Sequence, residues 1–294
     1  MCSSDLNNNA FTLTITASLG INNNQAWTNN SGNLFTVSGD ISLSGNNLTV
    51  NGTGNTLISG VIAGVANGST LTKDGSGTLT LTGNDTFTRG TTVNGGTLLV
   101  NNTAGSGAVT VNNAGSTLGG IGTISGAVTV NAGANIAPGN GGNNTAILNT
   151  GALTLASTSN FRVDVNGTTV GSGYDRLNVA TGGVTITGSN VVITVGTTLA
   201  VGQTFTILSK VAAGPITGTF AGIPQGGTVV GSNGTVFSVS YTGGDGNDIV
   251  LTVTAAPVPE PSTWMGGVLA ITGLAFQQRR KLRKLIARHC AVGS

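Results

Sequence analysis

The sequence predicts an all-β fold, a right-handed parallel β-helix (β-solenoid) with a short C-terminal apolar helix, and three observations predict it. The composition is that of short strands and tight turns. Glycine supplies 49 of 294 residues, charged residues only 7% and aromatics only 4%, with Thr, Asn, Val and Leu filling most of the remainder. Short runs alternate apolar and polar residues. Short strings recur at a spacing near twenty residues.

Composition narrows the function classes first. A globular enzyme of this length carries about 25% charged residues, far above the share here. Disorder is also disfavoured, because disordered chains pair low hydrophobicity with high net charge, whereas 38% of this chain is hydrophobic. The formal charge of +2 hides a segregation. Arg279, Arg280, Lys281, Arg283, Lys284 and Arg288 supply six of the eleven basic residues, which leaves the first 278 residues with five basic against nine acidic groups, a net of −4. With no basic stripe on the body, nucleic-acid binding has no electrostatic support. Cys2 and Cys290 stand at opposite ends with no metal-ligand spacing.

The repeats set the fold. AVTVN occurs at 108–112 and again at 127–131, nineteen residues later. TVNG occurs at 49–52 and 92–95, a separation of forty-three that is close to two steps of about 21. Alternating runs such as 78–82 (TLTLT), 109–111 (VTV), 128–130 (VTV), 153–155 (LTL) and 184–186 (VTI) mark strands with one buried and one wet face. Between them lie Asn-Gly, Gly-Gly and Ser-Gly pairs, which tolerate positive φ. A repeat of this size holds two or three short strands, one rung of a parallel β-helix, and a rung buries its apolar face only by stacking on its neighbours. Threonine suits the outer face, and asparagines at equivalent turns are expected to stack as hydrogen-bonded ladders. The competing reading is an antiparallel sandwich, which the scarcity of aromatics disfavours. From 161 to 254 the strands lengthen and Phe205, Phe220, Phe237 and Tyr241 add bulk. That stretch is expected to form a C-terminal cap over a sheet end that would otherwise aggregate. Trp27 is expected to pack in the core.

Two resemblances extend this reading. Residues 71–102, LTKDGSGTLTLTGNDTFTRGTTVNGGTLLVNN, closely resemble the autotransporter-associated β-strand repeat of large bacterial surface and secreted proteins. Flanking stretches at 58–64, 116–140, 174–179 and 201–208 look like its usual neighbours, so that the resemblance covers most of residues 30 to 254. It implies a β-helical passenger-like body; with no membrane barrel following, it does not imply an autotransporter. The tail carries the second. Val258, Pro259, Glu260, Pro261, Ser262 and Thr263 precede an apolar stretch that starts at Trp264 and ends at Phe276, and a basic cluster with Arg279, Arg280, Lys281, Arg283 and Lys284 follows. This tripartite tail resembles the PEP-CTERM sorting domain, which implies recognition by an exosortase, a membrane-embedded sorting enzyme. Pro259 and Pro261 bias Val258 and Glu260 towards extended backbone, the form a protease groove accepts. The apolar stretch can enter a bilayer and the basic cluster holds the last residues on the cytoplasmic side. Thirteen helical residues span about 20 Å against a hydrocarbon core of about 30 Å, which suits a transient anchor awaiting cleavage.

The expected organisation is therefore a solenoid body over 1–254, a Pro-rich linker and sorting motif over 255–263, a membrane segment over 264–278 and a basic cytoplasmic tail over 279–294. Residues 1–6 have neither a charged nor an apolar leader region, and a truncated start is expected. The reading is of an exported, non-enzymatic structural or adhesive protein of a Gram-negative surface or extracellular matrix. It passes through an inner-membrane intermediate, is processed by the exosortase-type enzyme, and associates with extracellular polysaccharide or biofilm. The alternative is a fragment of an autotransporter-like adhesin. A carbohydrate-active β-helix enzyme is a third reading, and it requires Arg162, Asp164, Asp175 and Arg176 to gather in a cleft, because the single histidine, His289, lies in the tail. No cofactor is expected. The run 243–251 matches one copy of the G-G-x-G-x-D-x-U-x calcium repeat, with Asp245, Asn247 and Asp248 as oxygen ligands. A second copy that would complete such a site is missing, so a turn into the last strand is the simpler expectation.

Overall fold

A computed structural model describes residues 4–6, 12–65, 68–257 and 278–279. The chain divides into a body, Met1–Ala256, and a second unit, Pro257–Ser294. In the second unit, Gln278 and Arg279 are helical and exposed. The expected apolar helix over 264–276 lies outside the described residues. Among those described, no helix is long and apolar enough to cross a membrane.

The body is all-β, built of large parallel sheets in the arrangement of a β-solenoid. The chain visits three faces in turn, the third divided into a three-stranded and an eight-stranded sheet, and in the coils each strand pairs in parallel with the strand one coil earlier. The first sheet runs through Leu48–Asn51, Leu71–Lys73, Thr91–Val93, Val109–Val111, Val128–Val130, Leu153–Leu155 and Val184–Thr187. The second includes Thr78–Leu81, Thr97–Val100, Thr117–Gly120, Asn135–Pro138, Asn160–Val165 and Asn190–Val195. The third includes Thr103–Ala104, Thr123–Ile124, Ile147–Thr150, Arg176–Val179 and Thr204–Lys210. Parallel register removes the sandwich reading.

The repeated strings are the stacked strands themselves. Val109, Thr110 and Val111 pair with Val128, Thr129 and Val130. Thr49 pairs with Thr72 and Thr72 with Thr92, which places the two TVNG copies two coils apart. Alternation then sorts the side chains. Leu48, Leu71, Val109, Val128, Leu153 and Val184 point inward in one column, and Val50, Val93, Val111, Val130, Leu155 and Ile186 in another, all buried. The period near twenty holds only in the middle. Leu71 to Thr91 takes 20 residues, Thr91 to Val109 takes 18 and Val109 to Val128 takes 19. Val128 to Leu153 then takes 25 and Leu153 to Val184 takes 31. The added residues, 139–146, 166–175 and later 196–203, all lie between a second-sheet strand and the following third-sheet strand. A coil needs its strands in register, so a corner absorbs insertions without disturbing the stack.

Glycine is required where coils touch at their corners. Gly52 has φ +108, and a Cβ there would lie 2.1 Å from the Asn29 carbonyl oxygen. No side chain fits that approach.

Buried polar residues interrupt the apolar pattern at several positions, Thr91, Lys73 and Asp85 among them. Lys73 stands between Val50 and Val93 and is 2% exposed. Its ammonium donates to the carbonyls of Asp74 (2.6 Å), Gly75 (3.0 Å) and Gly95 (3.2 Å). Burial pulls its pKa down to about 8, partly offset by the charge of Asp74. Asp85, 4% exposed, sits where the third-sheet strand is interrupted between Ile62–Ala63 and Thr103–Ala104. Its Oδ1 accepts the Ile62 N–H at 2.8 Å, while its own N–H donates to Thr103 O at 2.9 Å. Oδ2 has no partner. Burial raises this carboxyl to about 7, against the lowering effect of the Ile62 bond.

In the third sheet, strand direction reverses beyond Thr204–Lys210. That strand pairs antiparallel with Asp248–Ala255, which pairs antiparallel with Val236–Gly243, and Thr228–Val230 forms the edge. Tyr174 meets Phe205 edge to face at 5.2 Å, Phe205 meets Phe237 at 6.2 Å, and Phe220 lies between Phe161 (6.4 Å) and Tyr241 (5.8 Å). The Tyr241 hydroxyl donates to Ile223 O and accepts the Phe220 N–H. The large aromatics thus pack together in the core of the C-terminal part of the body. Trp27 packs against Phe35 at 5.9 Å.

Candidate functional surface

The outer faces follow from the same alternation. On the first sheet Thr49, Thr72, Thr92, Thr110, Thr129, Thr154, Thr185 and Thr217 occupy one outward column, each paired with the next. Strand spacing sets their separation at about 4.8 Å. At the adjoining corner the expected asparagine ladder is present. Asn94 donates to Asp74 at 2.9 Å, Asn112 to Asn94 at 3.0 Å and Asn131 to Asn112 at 2.7 Å. A second ladder runs Asn190 to Asn160 to Asn135 on the second sheet, both at 3.1 Å. An amide both donates and accepts, so a column of asparagines satisfies itself along the axis.

The four charged residues considered for catalysis divide. Arg162 and Asp164 project outward from Asn160–Val165, and Arg162 Nε donates to Asn135 Oδ1 at 3.0 Å. Asp175 is buried. Its Oδ1 accepts the Ala146 N–H at 2.7 Å and its Oδ2 the Asp164 N–H at 2.8 Å, so the carboxylate ties one coil to the next. Burial raises Asp175 to about 7, offset by these two N–H groups, with the nearby Asp164 charge raising it further. Asp164 is raised too, by burial, against the Thr194 hydroxyl and the Arg162 charge. Arg176 belongs to the third sheet, and its Nε is buried without a hydrogen-bond partner.

The Gly-rich segment at 243–248 is the turn between the last two long strands. Asp248 Oδ1 accepts the Lys210 N–H at 2.9 Å, and Asn247 Nδ2 donates to Ala212 O at 3.1 Å. Asp245 is exposed. The ammonium of Lys210 donates to the same Ala212 carbonyl and to those of Ala213 and Gly214. A cation beside Asn247 would therefore meet an existing positive charge. Among the described residues no group of three or more His, Cys, Asp or Glu side chains is placed to hold a metal ion.

The sorting motif Val258, Pro259, Glu260, Pro261, Ser262 and Thr263 lies outside the described residues, as do Trp264, Phe276, Arg280, Lys281, Arg283, Lys284 and His289. Arg279 is described and exposed. The sequence reading passed over Lys73, Lys210 and Asp85. A signal for Lys73 was present: it alternates in phase with Leu71, which puts it on the inward face.

The fold and these surfaces define a repetitive, self-stacking body. A comparison with family profiles matches residues 71–100 to the passenger-associated-transport-repeat. The matched residues are the first- and second-sheet strands of two successive coils. A repeat of this kind implies a secreted or cell-surface protein. No curated protein matches the chain.

Proposed function

We propose that the chain is a non-enzymatic, passenger-like body that is displayed outside the cell as an adhesive or structural element. The carrying observation is the passenger-associated repeat at 71–100, set within parallel coils whose first sheet carries an outward column of Thr beside a ladder of Asn. That repeat supports the adhesin reading. Non-enzymatic display is further supported by Asp175, whose two oxygens are both engaged by backbone N–H groups rather than offered to a substrate. The partner class is extracellular polysaccharide or a neighbouring cell surface; the net negative body argues against nucleic acid. Incubating the fluorescently labelled full chain with cells and with purified exopolysaccharide tests this. Retention above that of an unrelated acidic β-protein is expected, and equal retention would remove the adhesive role.

A second reading concerns delivery, and the tripartite tail favours it. Val258-Pro259-Glu260-Pro261-Ser262-Thr263, the apolar stretch and the basic cluster form a sorting signal for an exosortase-type enzyme, with a transient inner-membrane stage before release. Deleting 259–294 is expected to abolish surface delivery, and the mass of the mature protein is expected to show the tail removed. Unchanged delivery with an intact C-terminus would overturn this reading and leave the adhesin reading standing.

A further inference from the structure

The chain has six Asn-Gly pairs, beginning at Asn51, Asn67, Asn94, Asn140, Asn166 and Asn233. Such a pair can react with itself, because the glycine nitrogen has no neighbouring side chain to hinder it and can attack the asparagine side-chain carbon. Attack requires that nitrogen to lie beside the amide and that the amide be free to turn towards it. Sequence makes all six equivalent; the structure does not.

Asn51 meets both requirements. It is exposed, and the Gly52 N–H donates to Asn51 Oδ1 at 2.7 Å rather than to the sheet ladder. The bond places the attacking nitrogen against the side-chain amide and polarises the C=O it must add to. Three other described pairs are restrained, while Asn140, in the 139–146 excursion, is exposed. Asn94 is held at both ends of its amide, donating to Asp74 Oδ1 and accepting from Asn112 Nδ2. Asn233 is held likewise, donating to Thr197 O and accepting the Thr235 N–H. Asn166 donates to Asn143 O at 2.8 Å. Turning any of these amides breaks bonds that Asn51 does not have.

We propose that Asn51 is a built-in site of self-catalysed deamidation, and that the side-chain ladders protect Asn94. The Gly52 nitrogen loses its proton to solvent base and bonds to Asn51 Cγ. The Cγ–Nδ2 bond then breaks and Nδ2 leaves as ammonia, forming a cyclic imide. Water opens the ring at either carbonyl to give aspartate or isoaspartate, so that one water enters, one ammonia leaves and nothing is oxidised. Both products disturb the corner. The new carboxylate lies one coil from Asp74 and repels it. Isoaspartate lengthens the backbone where a Cβ at Gly75 would already lie 2.4 Å from Gly52 O and 2.6 Å from Asn51 Oδ1. The modification therefore loosens the stack between two coils as the exported protein ages.

The test compares each site in the folded full chain with the same site in urea, in mildly alkaline buffer, by peptide mapping that resolves aspartate from isoaspartate. The folded chain is expected to slow Asn94 by at least about tenfold while leaving Asn51 as fast as in urea or faster. Asn112→Ala removes one of the two restraints on Asn94, and it is expected to speed that site without changing Asn51. Folding that slows Asn51 as much as Asn94, or an Asn94 rate indifferent to Asn112→Ala, would overturn the proposal.

Discussion

Asp85→Asn should make the body more stable in mildly alkaline solution and leave it nearly unchanged in mildly acidic solution. Asp85 is buried, Oδ1 takes the Ile62 N–H and Oδ2 takes nothing. Its pKa rises from 3.8 to about 7. The native state therefore holds a proton there that the unfolded chain releases between those two values. The stability associated with this proton is complete below pH 3.8 and is lost as pH rises through about 7. The shift corresponds to an upper limit of about 4 kcal/mol, at 1.36 kcal/mol per unit. The asparagine amide keeps the acceptor for Ile62 and carries no charge, at the cost of an unpaired N–H of about 1–3 kcal/mol at any pH. Only the part of the shift between pH 5 and about 7 falls in this interval, so the difference between variant and parent at pH 8, minus that at pH 5, should favour the variant by up to about 2.6 kcal/mol. Urea titration followed by circular dichroism at the two pH values measures it. An identical difference at both values would show that Asp85 does not change protonation on folding, and the argument would fail.

Other outcomes follow from the same geometry. Leu155→Ala empties an inward position and should cost about 2–5 kcal/mol, whereas Thr154→Ala beside it on the outer column should stay within about 0.5 kcal/mol; equal effects would mean the alternation is misassigned. Lys73, with its pKa lowered to about 8, favours the fold more as pH rises from 8 towards 10.5, where the unfolded chain still holds the proton. Lys73→Met should flatten that rise in a denaturation series across the interval. Tyr241→Phe removes one bond donated to Ile223 and one accepted from Phe220, about 1 kcal/mol each. Hydrogen exchange should then quicken in Thr204–Lys210 and Asp248–Ala255 before it does in Val109–Val111.

How much of this was legible in the sequence depended on whether a residue's partner repeats. The two AVTVN strings revealed their own register, because Val109 and Val128 are chemically the same and stack directly. The asparagine ladder was foreseeable for the same reason: Asn94, Asn112 and Asn131 end equivalent strands. The lengths of the later coils were hidden, since residues added at a corner leave no periodic trace. Lys73 was visible only through its phase with Leu71, and the carbonyls that hold it come from turns whose closeness is a product of stacking. Asp85 looked like an ordinary turn residue, since Asn-Asp before a Thr run gives no sign that the strand is interrupted there. The candidate chemistry fared the same way. Asp175 and Asp164 are eleven residues apart, and only the loop between them shows that one carboxylate is spent on the other's backbone.

The three long excursions share the corner between the second and third sheets, while the corner between the first and second carries the tight asparagine column. Variation and regularity are thus kept at separate corners of the same molecule. A foreign peptide spliced at Gly141 or Gly142 would project from an edge that already tolerates extra chain, yet the same peptide beside Asn131 would cut the amide column. Such a body can change what it presents to its surroundings without relearning how to fold.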